Sequence, residues 1–535
     1  YSENLQFILE LISTFNIKNL DFLACNTLQY DNWKTYYEIL KNNSNVIIGA
    51  SENLTGNLRY GNDWILENIN LDIENIYFND NIINYQNNLS TLNISQNGGD
   101  IYFKQTDSSS NIEYSNDNIN WTELLSSDFP ITLTNTNPST DNYLNIFFSN
   151  DLYFSNTYAD TNSYFKIGSE YIKIDGNNNT VNLTSISNYY GLIYNGEANQ
   201  TLTSVINGYT NIIIKNIIIN SSNTSITDDY SRICQRYFGI GTTNGFFEID
   251  NCNTNGNDSN NSGGIIGGSC LSLSSNVNFT ISNCFKNEKI NTSGGGIIGS
   301  DFGYLSINLT CLISNCYSTG NISSYAGGII GTDFGQESDN ISCKIENCYS
   351  SGSIGELAGG IIGGTCMYLN KNFNLEISNC FSSGSIGEKA GGIIGLRFLN
   401  FDENVNDKDC TVKIDKCYSS GSIGELAGGI IGKSFLNISS TTINIYVNIK
   451  DCYSIGNISN DGGGIIGNQS CNLNGFENTS IELNLENCYS NGNISDDGGG
   501  ILGSDTISSF TGTITDDTVN INILNSYTSG TYNSS

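Results

Sequence analysis

The sequence predicts a mainly β protein: a right-handed parallel β-helix (β-solenoid) with a small N-terminal α/β segment and a β-rich cap. Three observations predict it. A pair of motifs recurs with fixed internal spacing, apolar residues alternate with period two ahead of each copy, and 57 glycines stand beside only 2 prolines. Half-buried strands alternate with period two. Frequent glycine without helix-forming runs argues against a helical repeat.

Taken in order, the first part reads as a partial α/β domain over 1–75. Leu5 to Phe15 is an amphipathic helix, Leu20 to Cys25 a strand, Trp33 to Leu40 a helix and Val46 to Gly49 a strand. Residues 76–160, with Trp121 and alternating apolar runs, read as a linker and a β-rich cap or collar, because an open solenoid end exposes strand edges. The solenoid is assigned to 161–535. It opens with irregular coils at Tyr164-Phe165-Lys166-Ile167-Gly168 and Tyr171-Ile172-Lys173-Ile174-Asp175-Gly176, and repeats of about 32–38 residues run from about 234.

The repeat is anchored on a cysteine and on a Gly-Gly-Ile-Ile-Gly block. The tripeptide around Cys348 recurs at Cys252, Cys284, Cys316, Cys380, Cys417, Cys452 and Cys488, with Ser526 a degenerate last copy. From each cysteine to the first glycine of the block is always 11 residues; from the last glycine to the next cysteine is 17 four times, then 22, 20 and 21. One half of each coil is therefore fixed, and length variation falls at one point of the perimeter. Ahead of the cysteine, Ile341, Cys343 and Ile345, or Phe373, Leu375 and Ile377, alternate as one buried strand face. The alternation breaks at the asparagine before the cysteine. A bend there turns Cys348 and Ser350 inward and stacks Asn283, Asn315, Asn347 and Asn379 at successive corners.

Composition removes several function classes. A formal charge of -32, from 21 Lys+Arg against 53 Asp+Glu, repels phosphate backbones and argues against nucleic acid as a partner. No run approaches the roughly 18 apolar residues of a spanning helix, so no membrane insertion is expected of this segment. The chain opens at Tyr1 without methionine and reads as part of a longer product. With 0 histidines there is no Ser-His-Asp triad, no Cys-His dyad and no histidine-ligated zinc. No catalytic residue, no cofactor-binding residue and no enzyme activity are assigned.

Four sets of residues remain as candidate sites. The repeated cysteines are either a ladder of buried thiols or, with Cys311, Cys343 and Cys410, a source of adjacent-coil disulfides such as Cys311 to Cys343. The corner asparagines form a second structural ladder. Glu356, Glu388 and Glu425 recur eight residues after the cysteine in successive coils. They are either splayed solvated carboxylates or a calcium ladder continued by Asp496 and Asp497. Tyr317, Tyr349, Phe381, Tyr418, Tyr453 and Tyr489 form an aromatic column, which stacks on itself or offers a platform to sugar rings.

The residues Asn-Cys-Tyr-Ser-x-Gly-x-Ile followed by Gly-Gly-Ile-Ile-Gly, as at Asn347 to Gly363, resemble the GLUG motif of large bacterial surface proteins, including adhesins and the repeat regions of immunoglobulin-A-cleaving proteases. The resemblance covers about half the chain and implies a surface-exposed spacer or adhesive role. Leu20-Asp21-Phe22-Leu23-Ala24-Cys25-Asn26, Leu54-Thr55-Gly56-Asn57 and Gly61-Asn62-Asp63-Trp64-Ile65-Leu66-Glu67 resemble an uncharacterised caspase-like α/β domain that heads giant secreted adhesin-like proteins. That resemblance implies Cys25 as a nucleophile paired with an upstream histidine, or else a buried structural cysteine. The Tyr171 to Gly176 opening is also similar to proteins of very large DNA viruses, which implies a virion-surface fibre. The expected function is a structural or adhesive extracellular, cell-surface or virion-surface rod that self-assembles end to end or meets other surface proteins and glycans. The alternative is a carbohydrate-binding or polysaccharide-degrading β-helix.

Overall fold

Asn19–Asp21 and Ile47–Gly49 pair in parallel at one end of the chain, and stacked coils fill most of the remainder. The computed structural model describes residues 2–23, 27–53, 64–77, 92–155, 163–222, 224–368, 370–401, 408–439, 443–474, 480–507, 510–511 and 518–532. About 40% of the chain is strand and 7% helix. The chain divides into two compact units: residues 1–93 with 127–131, and residues 94–126 with 132–535.

In the first unit, α1 (Ser2–Phe15) and α2 (Asp31–Ser44) pack beside β1 (Asn19–Asp21) and β2 (Ile47–Gly49). Leu5, Ile8, Leu9 and Ile12 recur at helical spacing in α1 and meet Tyr37, Leu40, Val46 and Ile48 in one apolar cluster. Asn45 ends α2 in the left-handed conformation, at φ 53°, with its N–H donated to the Lys41 carbonyl. The strand expected over Leu20 to Cys25 is shorter, and Cys25 lies outside the described residues.

The second unit is a parallel β-solenoid of about 11 turns. Each regular coil has a long strand such as Ile307–Ser314, a corner, a short strand such as Tyr317–Ser318, and a third side reduced to single bridges. The long strands join a 15-stranded sheet and the short strands a 12-stranded one. On the long strand the burial alternates, so that Leu309, Cys311 and Ile313 face the interior. The third side begins as a four-stranded sheet from Asn93–Gln96 to Ile193–Tyr194 and continues as the bridges Ile193 to Cys234, Ile266, Ile298 and Ile330.

Coils begin inside the stretch read from the sequence as linker and cap. Gly99–Lys104 already pairs in parallel with Leu144–Phe148, and that strand with Ile172–Asp175. Glu113–Ser115 and Thr122–Glu123 are antiparallel, folded over the outer edge of that first strand. The early coils are hidden in the sequence because their lengths differ, whereas those from Cys252 to Cys380 repeat at 32 residues.

The third side explains the glycine block. At Gly359 a Cβ would stand 1.8 Å from the Ile362 carbonyl oxygen, and at Gly360 2.0 Å from the Gly392 carbonyl of the next coil. Gly296, Gly328, Gly392 and Gly429 repeat the second contact. Coils pack about 4.8 Å apart, and no side chain fits in that interval where backbone faces backbone. Ile290, Ile322, Ile354, Ile386, Ile423, Ile458 and Ile494 stack inside it, each buried residue contributing about 1.5–3 kcal/mol of transfer free energy.

Candidate functional site

Register turns every repeated residue into a column. Asn283, Asn315, Asn347 and Asn379 occupy the corner at φ between 52° and 55°, and Lys416, Asp451 and Asn487 hold the same place at φ 51° to 56°. Asparagine reaches this left-handed region at the least cost of any residue with a side chain. The bend places Cys348 and Ser350, both fully buried, on the inner side with Tyr349 between them. At Asn315, Asn347 and Asn379 the corner is tied by main-chain bonds to the next coil at 3.0–3.1 Å. At Asn487 and Asn525 the corner amides also bond coil to coil, to Asp451 at 2.9 Å and Asn487 at 3.3 Å, and a second amide ladder stands at the other end of the long strand. Asn276, Asn308 and Asn340 each donate to the asparagine one coil earlier, starting from Asn244, at 3.2, 2.8 and 2.6 Å. Sequence reasoning missed this ladder, although its 32-residue spacing was there to be read.

The cysteines Cys252, Cys284, Cys316, Cys348, Cys380, Cys417, Cys452 and Cys488 form one fully buried column. Each thiol donates to the carbonyl two residues before it, as Cys348 does to Glu346 at 3.3 Å and Cys452 to Lys450 at 3.1 Å. The Cys252 N–H is donated in turn to Cys284 Sγ of the next coil at 3.4 Å, and Ser526 Oγ takes the same role for Cys488 at 3.1 Å. Burial pushes the Cys284 and Cys417 thiols well above the usual range, and Cys471 up to about 12. Cys311 and Cys343 are register partners on the long strand. No disulfide joins the described cysteines, these two included.

The aromatic column closes on itself. From Phe285 through Tyr317, Tyr349, Phe381, Tyr418 and Tyr453 to Tyr489, ring centroids lie 4.8–4.9 Å apart and the planes within 4° of parallel. Tyr527 follows at 5.7 Å and 12°. Both faces of each inner ring are covered by its neighbours, so only ring edges meet solvent. A sugar ring stacks on a face, and among the inner rings none is open.

Glu356, Glu388 and Glu425 also fall in one column, fixed by the bridges Ile354 to Ile386 to Ile423 two residues earlier. The structure answers the like charges with a lysine. Lys389 Nζ lies 2.5 Å from Glu388 Oε1 and 3.7 Å from Glu356 Oε1, with the two carboxylate side chains about half exposed. Among the described residues no group of three Cys, Asp or Glu side chains is gathered closely enough to hold a metal ion. The calcium ladder expected at Glu356, Glu388 and Glu425 therefore finds no donor set here. The register brings one carboxylate from each coil to an open edge, and Lys389 sits between two of them, Glu356 and Glu388.

Two charged groupings had no signal in the repeat. Asp301 and Asp333 sit on adjacent coils at a third corner, at φ 54° and 58°. Burial raises both carboxyls, Asp333 to about 6, with each charge acting on the next coil and with the Thr365 hydroxyl opposing at Asp333. The second grouping is Arg232, Asp258 and Lys286, whose side chains have no exposed surface at all.

These columns define the class of protein: a parallel β-solenoid repeat protein whose repeated polar and aromatic residues are spent on holding coil to coil. The chain matches no family model, no curated protein and no solved structure.

Proposed function

We propose that this chain is a structural or adhesive surface element, extracellular or virion-exposed, in which the solenoid serves as a stiff acidic spacer. The observation that supports it most is the continuity of the columns. Among the described residues, cysteine, aromatic and isoleucine columns run coil after coil through the regular region. Each of about 11 turns rises roughly 5 Å, so the stack extends on the order of 50 Å. The surplus of carboxylates keeps such a surface solvated and repels non-specific partners of the same sign. End-to-end association with further copies, or contact with other surface proteins, is the partnership this reading assigns.

The test is electron microscopy of the purified chain in physiological salt, combined with a binding screen on immobilised glycans. Filaments with a regular axial repeat support end-to-end assembly. Isolated short rods that bind cells or glycans support an adhesive stalk. Release of soluble oligosaccharides from a polysaccharide by the purified chain would overturn the non-enzymatic reading.

A further inference from the structure

Lys286 is an exception within its own column. It stands in register with Thr254 on one side and with Ser318 on the other, and Ser350, Ser382, Ser419 and Ser454 continue the series. A small hydroxyl suits that inward position, and a buried lysine there has no role in the repeat. Its Nζ lies 3.1 Å from Asp258 Oδ2 and donates to the Gly256 carbonyl at 2.8 Å. Arg232 holds the other oxygen, Asp258 Oδ1, by a hydrogen bond, and donates to the Asn257 carbonyl at 2.6 Å. Two cations share one carboxylate in a site without solvent, which is a costly way to bury charge.

Two further details concern the reacting atoms. Asp258 Oδ2 is buried, and the Lys286 ammonium at 3.1 Å is the polar group the structure sets against it. Glu288, two residues beyond Lys286, also carries a buried carboxylate oxygen, Oε2, without a hydrogen bond, and its charge acts on Lys286. Burial lowers the proton affinity of Lys286, and the Asp258 and Glu288 carboxylates oppose that shift.

The geometry points to an intramolecular amide bond between Lys286 Nζ and Asp258 Cγ, formed by these side chains once the coils have stacked. The step balances without any oxidant or cofactor. One proton passes from the Lys286 ammonium to the Asp258 carboxylate. The neutral nitrogen then adds to Cγ, and Arg232 stabilises the negative charge growing on Oδ1. The second nitrogen proton is carried by Glu288 to Oδ2, the carbon–oxygen bond breaks, and one water leaves as the carbon–nitrogen bond is completed. A folded scaffold that holds amine and carboxyl in contact supplies the effective concentration that condensation lacks in water. The product staples the first two regular coils and replaces the Lys286–Asp258 ion pair with a neutral amide.

Intact-mass spectrometry of the full chain, denatured after native purification, tests it. The expected mass is lower than the sequence mass by one water, and tandem fragmentation finds the peptides carrying 258 and 286 joined. Lys286→Arg keeps a buried cation and restores the full mass. Glu288→Gln folds with the same circular dichroism, and its crosslinked fraction rises at least tenfold more slowly after refolding. A full sequence mass in protein with the solenoid's circular dichroism, with both residues in unlinked peptides, overturns the crosslink. So does a Lys286→Arg protein that is still one water light.

Discussion

Gly360 and Asp333 show how closely single positions are constrained. A methyl group at Gly360 meets the Gly392 carbonyl at 2.0 Å, and main chain cannot yield as a side-chain tip can. Gly360→Ala is expected to cost about 2–3 kcal/mol, the usual scale of overpacking, read as a lower denaturant midpoint. Gly359→Ala should cost a similar amount, whereas Ser351→Ala on an exposed edge should change little. At Asp333 the sign follows from linkage. Its carboxyl is raised to about 6 from an ordinary 3.8, so between these values the folded state binds more protons than the unfolded chain. Stability is therefore greatest below about pH 4 as far as this group is concerned, and falls as pH rises through 6. Asp333→Asn removes that loss. Its melting temperature should exceed that of the parent at pH 8 and approach it at pH 4, and equal differences at both values would contradict the assignment.

At the scale of elements, the columns carry energy that no single coil possesses. Tyr349 is stacked on Tyr317 at 4.8 Å and on Phe381 at 4.9 Å. Tyr349→Ala breaks two stacked pairs at roughly 0.5–1.5 kcal/mol each, beyond the lost burial, so a destabilisation of about 1–3 kcal/mol is expected in urea. Tyr349→Phe keeps both stacks and should be nearly neutral, as Phe381 already is in the next coil. The cysteine column predicts a reactivity pattern. The thiols are buried and, at Cys284 and Cys417, shifted upward by burial. A water-soluble alkylating agent should leave them unmodified in the folded chain and label them all after denaturation without reductant. Protection that persists in denaturant until a reductant is added would show disulfides instead.

For the whole molecule, a solenoid is close to one-dimensional: each coil meets only its neighbours, and stability is a sum over coils and interfaces. Removing residues 349–380 joins Cys348 to Phe381, the same junction that Cys380 makes, and deletes one whole 32-residue turn. The shortened chain should keep its circular dichroism per residue and lose only one coil's share of the unfolding free energy. A deletion of half that length shifts the register by half a coil, places Gly-Gly-Ile-Ile-Gly against strand and should not fold. Loss of structure in both deletions would show coupling beyond nearest neighbours.

Cys348, Tyr349 and Gly359 to Gly363 made the repeat legible because their neighbours in space are their own copies in sequence, so a regular period is already a contact map. That is why the strand, the bend and the inward cysteine were readable from residues alone. The coils between Gly99 and Asp250 were readable only in part, since unequal lengths conceal the register that pairs Leu144 with Ile172 and Ile172 with Ile212. Side-chain direction lay beyond the sequence as well. That Lys389 would reach Glu356 and Glu388, or that aromatic rings would cover each other's faces, depends on rotamers set by the coil above and below. The sequence by itself determined the solenoid, through periodicity and backbone conformation, which are local. Only the tertiary structure decided which charges meet inside it, because Arg232, Asp258 and Lys286 belong to no period and are brought together by winding alone.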